Sequence, residues 1–206
     1  MSDPTLKPVT FELDGREVTA SPGETIWQVA QRNGIAIPHL CYAPRPGYRP
    51  DGNCRACMVE VQGERVLVAS CIRRPAHGMR VITNSTRAES ARALVMELQL
   101  ADQPARAEAH DPDSKLWQWA DRIGVSTSRF PARPAPAPDR SHPAMAVHLD
   151  ACIHCGLCVR ACREVQVNDV IGMAGRNHHA KVVFDFDDPM GKSTCVACGE
   201  CVQACP

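Results

Sequence analysis

Alternation opens the chain. Val9, Phe11 and Leu13 alternate with polar neighbours and predict a strand; Asp14-Gly15 marks a hairpin turn, and Val18 and Ala20 carry the return strand. The period then changes: Ile26, Val29 and Ala30 recur at helical spacing, and Gly34 stands where a helix ends in a left-handed residue. Met58–Val61 and Val66–Ala69 read as a second strand pair around Gln62-Gly63. A helix is expected from Thr86 to Leu100, opened by a capping box of Thr86 with Glu89 and burying Ala91, Leu94, Val95 and Leu98. Residues 1–100 therefore predict a small mixed α/β domain.

Residues 101–146 have a different texture. Asp111-Pro112 can start a short helix running past Trp117 and Trp119 to Ile123, stopped by Gly124. Prolines at 131, 134, 136, 138 and 143 then favour extended backbone, the composition of a semi-rigid strap between domains. Residues 147–206 hold two copies of one cysteine pattern. The copies flank an expected hairpin, Val170–Met173 with Lys181–Phe186, whose tip lies near Gly175-Arg176-Asn177.

Composition narrows the chemistry. Aromatic residues make up only 4% of the chain, so something other than large side chains must crosslink the core, and twelve cysteines are at hand. Lys plus Arg and Asp plus Glu both total 23, without the basic excess of a nucleic-acid binder. Met1–Pro8 lacks a signal-peptide pattern and no apolar run of about 18 residues is present, so the expectation is a cytoplasmic protein without membrane insertion. In that compartment thiols stay reduced, and clustered cysteines read as metal ligands rather than disulfides.

The first repeat is Cys152-x2-Cys155-x2-Cys158-x3-Cys162 and the second Cys195-x2-Cys198-x2-Cys201-x3-Cys205-Pro206. This is the run of two-cluster ferredoxins, in which three cysteines wrap one [4Fe-4S] cube and the fourth ligates the other cluster. Cys152, Cys155, Cys158 and Cys205 are thus expected on one cluster, and Cys162, Cys195, Cys198 and Cys201 on the other. Gly156 and Gly199 fall at matching places where backbone passes close to a cluster. Structural zinc is the alternative, but a third cysteine two residues on and a fourth three beyond are not the zinc-ribbon pattern.

Cys41, Cys54, Cys57 and Cys71 are spaced C-x12-C-x2-C-x13-C, unlike the plant-type C-x4-C-x2-C order. Their loops, set among a hairpin, a helix and a strand pair, suggest a ferredoxin-like β-grasp holding a flat [2Fe-2S] cluster. Zinc suits four such cysteines as well; the neighbouring ferredoxin repeat tips the reading to iron. The fold class is α+β: a β-grasp [2Fe-2S] domain over 1–100, a helical and proline-rich connector over 101–146, and a two-[4Fe-4S] bacterial ferredoxin-like domain over 147–206.

This order resembles the N-terminal part of the large iron–sulfur subunit of respiratory complex I, of iron-only hydrogenases, and of the catalytic subunit of NAD-dependent molybdenum or tungsten formate dehydrogenase. The run L-D-A-C-I-H-C-G-L-C-V-R-A-C-R-E-V-Q-V-N-D-V-I-G-M, Leu149 to Met173, and K-V-V-F-D-F-D-D-P, Lys181 to Pro189, most resemble the formate dehydrogenase version. The resemblance implies an electron relay between a molybdopterin centre, absent from this chain, and flavin/NAD-binding and iron–sulfur partner subunits. The alternatives are a diaphorase subunit of an NAD-linked hydrogenase or complex I-like enzyme, a free-standing carrier, and a zinc-stabilised scaffold. Two departures stand out. No cysteine lies between Cys71 and Cys152, so the His-plus-three-Cys cluster of many relatives cannot form; His110 is expected to be a surface or packing histidine, with Trp117 and Trp119 filling that space. The chain also stops at Pro206, one residue after a predicted ligand, which suggests a truncated form.

Smaller signals remain. His154 inside the first motif is either a hydrogen-bond donor to sulfur, making a potential pH-dependent, or a solvated loop residue. Arg163 stands where ferredoxins place proline after the fourth cysteine, to raise a potential or pair with an acid. His178 and His179, with Arg73, Arg74 and Arg80, read as solvent-exposed, the arginines also as a docking face. No acid–base pair, activated nucleophile or phosphate-binding loop is visible, so no substrate chemistry is expected of the chain by itself.

Overall fold

The computed structural model describes residues 7–206, the side chain of His178 excepted. It divides into two compact units, one of the described residues through His39 with Pro50–Val95, the other of Leu40–Arg49 with Met96–Pro206.

The first unit is built on a sheet in the order β2-β1-β5-β3-β4. Strands β1 (Val9–Leu13) and β2 (Arg16–Ala20) pair antiparallel as expected, with Asp14 and Gly15 both at positive φ (50° and 78°), the geometry of a tight hairpin turn. Helix α1 (Ile26–Arg32) buries Ile26, Trp27, Val29 and Ala30, and it carries a capping box of Thr25 with Gln28 that the apolar spacing does not reveal. Gly34 follows its C-cap at φ 78°. Strand β3 (Met58–Val61) pairs with a β4 of only two residues (Val68–Ala69); Val66 lies outside it and is exposed.

The central strand, β5 (Arg80–Ile82), escapes the sequence pattern because it is only three residues long and opens on a charged one. It runs parallel to β1 and antiparallel to β3. The Asp14 carboxylate accepts from Thr83 N and Oγ1, each at 2.6 Å, and so ties the hairpin turn to the end of β5. Phe11, Leu13, Val59, Val61 and Val81 form the sheet's buried face.

Helix α2 (Thr86–Ala101) corrects two expectations. Its N-terminal cap is Ser85, whose Oγ accepts from Ala88 N at 3.2 Å, rather than Thr86. Its buried row is Ala88, Arg92, Met96 and Leu100, whereas Leu94 (40%) and Leu98 (48%) are exposed. A row with a cation in it is invisible to an apolar count. Arg92 is buried because its Nη2 donates to the Thr83 carbonyl at 2.6 Å.

In the second unit, α3 (Lys115–Ile123) buries Leu116, Trp117 and Ala120 and ends at left-handed Gly124 (φ 80°). Residues 131–138 run without helix or strand, and Asp139 then bridges Val147. Two short helices, α4 (Leu157–Arg160) and α5 (Glu200–Ala204), flank the hairpin of β6 (Ile171–Ala174) and β7 (Lys181–Phe184). The second strand stops before Phe186, which is 97% exposed: Asp185 still donates its N–H to the Val170 carbonyl at 2.9 Å, but it turns the chain at φ 46°, and its carboxylate accepts from Thr194 N at 2.6 Å. Val170, Ile171, Val182, Phe184, Met190 and Cys162 make the core. Among the described residues no helix is long and apolar enough to cross a membrane.

The α2 row can be tested. Met96→Ala should lower the stability by about 2–5 kcal/mol, as a fully buried methionine does, and Leu98→Ala by less than about 0.5 kcal/mol, read from denaturant titrations.

Candidate metal centres

The two copies of the four-cysteine pattern fold as copies of one loop. Cys152 is followed two residues later by His154 at φ 54°, and Cys195 by Ala197 at φ 57°. The turned backbone N–H of each points back and donates to the first sulfur, His154 N to Cys152 Sγ and Ala197 N to Cys195 Sγ, both at 3.4 Å. Gly156 (φ 73°) and Gly199 (φ 76°) then open α4 and α5, and this left-handed backbone is sufficient reason for glycine. The third cysteine of each copy, Cys158 or Cys201, lies in the first turn of its helix. Cys162 falls in a π-helical turn, Ala161–Val165, and its sulfur receives Val170 N at 3.3 Å.

Electrostatics groups the sulfurs. Burial pushes the Cys155 thiol well above its ordinary range, and Cys158, Cys205 and Cys152 push it further. Cys158 is driven to about 12 by burial and then by Cys152 and Cys205, with Cys201 a smaller contributor. Cys205 is raised by burial and by Cys152; as a residue it is exposed, so its sulfur is the sheltered part. Cys201 is raised by burial and then by Cys195, Cys198 and Cys162. Cys162, Cys195, Cys198 and Cys201 also line one recess, partly open to solvent and backed by Val170 and Ile171. The fourth cysteine of each copy thus lies with the first three of the other. A recess walled by four sulfurs, with backbone N–H groups aimed at six of the eight, suits a polynuclear iron–sulfur group.

The N-terminal cysteines are all buried, at 1–7% exposure. Cys54 and Cys57 flank a left-handed Arg55 (φ 58°), and the β3–β4 ladder continues as Ser70 N and Oγ both donate to the Cys57 carbonyl, leaving Cys71 next in line. Gly52 suits the left-handed backbone there at φ 66°, and an added Cβ would press the exposed Ile72 Cδ1 at 2.9 Å. Cys41 belongs to the Leu40–Arg49 loop of the second unit. That loop is fastened to the ferredoxin-like region by groups the sequence did not single out. Arg160 Nη2 donates to the Cys41 carbonyl at 2.6 Å, Tyr48 Oη to Glu200 at 2.7 Å, and Arg49 pairs with Glu164 at 2.9 Å. Burial and the Glu200 contact push Tyr48 up to about 12.

The lesser candidates have other surroundings. His154 is neither a ring donor to sulfur nor a solvated residue: Arg133 Nη1 lies 3.2 Å from its Nε2, and the sulfur contact comes from its main chain. Arg163 pairs with Asp169 at 2.6 Å. His110 is exposed and stacks on His148, ring centroids 4.0 Å apart. Arg73, Arg74, Arg80 and His179 are exposed, and the His178 side chain lies outside the described residues.

A model of the 2Fe-2S iron–sulfur cluster binding domain matches residues 6–86, and a model of the 4Fe-4S dicluster domain matches residues 151–206. All twelve cysteines lie inside those two spans. The chain is 30% identical over 196 residues to the putative formate dehydrogenase YrhE of Bacillus subtilis (strain 168), covering 92% of this chain and 20% of that protein. It is 32% identical over 173 residues to an NADH-quinone oxidoreductase component of Rickettsia typhi, covering 82% and 25%. A chain of an NAD+-reducing [NiFe]-hydrogenase crystal structure, in the H2-reduced state, matches with a TM-score of 0.79 at 28% identity, over 92% of this chain and 80% of that one. The chain is an iron–sulfur electron-transfer module related to these oxidoreductases. The module spans a fifth to a quarter of the length of the curated relatives it matches. Its 2Fe-2S and dicluster 4Fe-4S domains are joined by a stretch that contributes no cysteine.

Burial, and then the Arg133 cation, hold His154 below its ordinary 6.5, so protonation is deferred to lower pH and the ring is neutral above pH 7. The potentials of the module's [4Fe-4S] centres should therefore stay level between pH 7 and 8 in an EPR-monitored redox titration. A slope approaching about 59 mV per pH unit would contradict this placement, since one proton would then accompany each electron.

Proposed function

We propose that the module relays electrons within an NAD-dependent formate dehydrogenase, between a molybdopterin centre carrying molybdenum or tungsten, outside the residues described, and a partner subunit that binds flavin and NAD, with other iron–sulfur subunits in the same complex. The observation that carries this reading is the 30% identity to a putative formate dehydrogenase along 92% of the chain. The complex is placed in the cytoplasm, where thiols remain available as ligands.

In this reading Cys41, Cys54, Cys57 and Cys71 hold one [2Fe-2S] cluster. Cys152, Cys155, Cys158 and Cys205 hold one [4Fe-4S] cluster; Cys162, Cys195, Cys198 and Cys201 hold the second. Such clusters supply one-electron storage, at potentials set by charge, hydrogen bonds to sulfur and solvent exposure. The chain's own residues provide the rest. Thiols that burial holds protonated must give up their protons on assembly, so cluster uptake is coupled to proton release. Main-chain N–H groups of His154, Val170 and Ala197 lower the electron density at the sulfurs they face. The apolar core of Phe184 and Met190 keeps water from the side on which Cys162 lies.

A second reading, an electron-transfer (diaphorase) subunit of an NAD-linked hydrogenase, is favoured by one observation. The matching hydrogenase chain is covered over 80% of its length, against 20% for the formate dehydrogenase relative. The native complex purified through this chain distinguishes them: formate-dependent reduction of NAD+ without H2-dependent reduction is expected, and the reverse pattern overturns the first reading in favour of the second.

The crossed ligation makes its own prediction. Cys205→Ala should remove the cluster of Cys152, Cys155 and Cys158, and Cys162→Ala that of Cys195, Cys198 and Cys201, each leaving the other [4Fe-4S] EPR signal. Pairing each variant with C158A or C201A identifies which signal is which. Loss of a motif's own cluster in both cases would overturn the crossing.

A further inference from the structure

Among the described residues the buried charged side chains are all arginines: Arg92, Arg133 and Arg160. Each lies beside a cysteine. Arg92 feels the charge of Cys57, Arg160 donates to the Cys41 carbonyl, and Arg133 acts on Cys152. Isolated cations avoid the interior unless a negative group compensates them. Of the three, Arg133 has the most complete geometry, and it comes from the proline-rich connector, which bears no ligand.

The Arg133 side chain is 2% exposed. Its Nη1 donates to the Ala180 carbonyl at 2.9 Å and lies 3.2 Å from His154 Nε2; its Nη2 donates to the Cys152 carbonyl at 3.4 Å. One guanidinium therefore joins the connector, the start of β7 and the first cysteine loop. The nearest acid is Asp102, whose Oδ2 stands 3.5 Å from Nε, beyond hydrogen-bond length, and whose Oδ1 receives Arg133 N at 3.0 Å. Asp102 is itself one-third exposed, so solvent screens it more than the buried cation it faces. The positive charge toward Cys152 is only partly cancelled.

We infer that Arg133 is the fixed counter-charge of the centre formed on Cys152, Cys155, Cys158 and Cys205, raising its reduction potential above that of the same centre without it. The inference rests on the ligand assignment proposed above. Reduction adds one electron to an already anionic group of four thiolates, and a buried cation held beside that group favours the reduced state. It acts as a positioning and tuning residue: the electron does not pass through it.

The test is a mediated redox titration followed by EPR on the anaerobically purified full chain. Arg133→Gln should lower one of the two [4Fe-4S] potentials, changing its reduced-to-oxidised ratio at fixed poise by about tenfold, equivalent to about 59 mV for a one-electron couple. The other [4Fe-4S] potential and the [2Fe-2S] potential should stay in place, and Arg133→Lys should restore most of the difference. Asp102→Asn, which removes the opposing charge, should move the same centre the opposite way. That second variant decides the matter if Arg133→Gln fails to assemble the cluster, because a merely structural clamp predicts no upward shift. Clusters present with Asp102→Asn leaving the potential unmoved or lower overturn the inference alone. A wild-type chain without [4Fe-4S] signals overturns the ligand assignment and this inference with it.

Discussion

Negative charge on buried sulfur is the constraint around which this module is organised. Iron–sulfur ligation needs thiolates, while burial holds Cys155 and Cys158 far into their protonated range and raises Cys152, Cys201 and Cys205 as well. Like-charged neighbours in each group deepen the penalty. Without a multivalent group among them these sulfurs repel one another; with iron bound, the same proximity becomes chelation. Protein groups that answer the charge are main-chain N–H donors, presented by residues at positive φ two places after the first cysteine of each copy, and buried arginines placed beside the cysteines.

The exchange of the fourth cysteine gives this chemistry a structural consequence. In the proposed ligation each cluster draws on both copies of the motif, which would hold the hairpin between them by its ends as well as by its β6–β7 ladder. The connector takes part. Arg133 binds the first loop, and at its other end Asp139 Oδ2 accepts from Met190 N at 2.7 Å while Ser141 Oγ accepts from Gly191 N at 2.8 Å, just ahead of the second motif. Only glycine permits this approach, because a Cβ added at Gly191 would collide with the Ser141 carbonyl at 2.2 Å. A strap rich in proline is well suited to such a role, since little conformational entropy is lost on fastening it.

What the sequence made legible follows from how local each signal is. The β1–β2 hairpin and α1 are written in short-range spacing, and the structure agrees with them; α3 ends at Gly124 as expected but starts at Lys115 rather than at Asp111-Pro112. Strand β5 was illegible because three residues with a charged member carry no period; only pairing on both sides makes Arg80–Ile82 a strand. The buried row of α2 was misplaced because Arg92 occupies a core position through its bond to the Thr83 carbonyl. Phe186 was assigned to a strand on its side chain alone, whereas its neighbour Asp185 turns the chain out to cap Thr194. At the metal centres all the candidate ligands were named from spacing. Arg133, Arg160, Tyr48 and Glu200 were not, because an arginine in a proline-rich strap or a tyrosine near a cysteine looks like surface until the fold shows what it touches.

Iron, acid-labile sulfide and zinc, counted on the anaerobically purified chain with an EPR spectrum of the dithionite-reduced sample, test the central claim most directly. The account predicts about ten irons and about ten sulfides per chain, from one two-iron and two four-iron clusters, with three distinguishable reduced centres. Stoichiometric zinc with no acid-labile sulfide would contradict it.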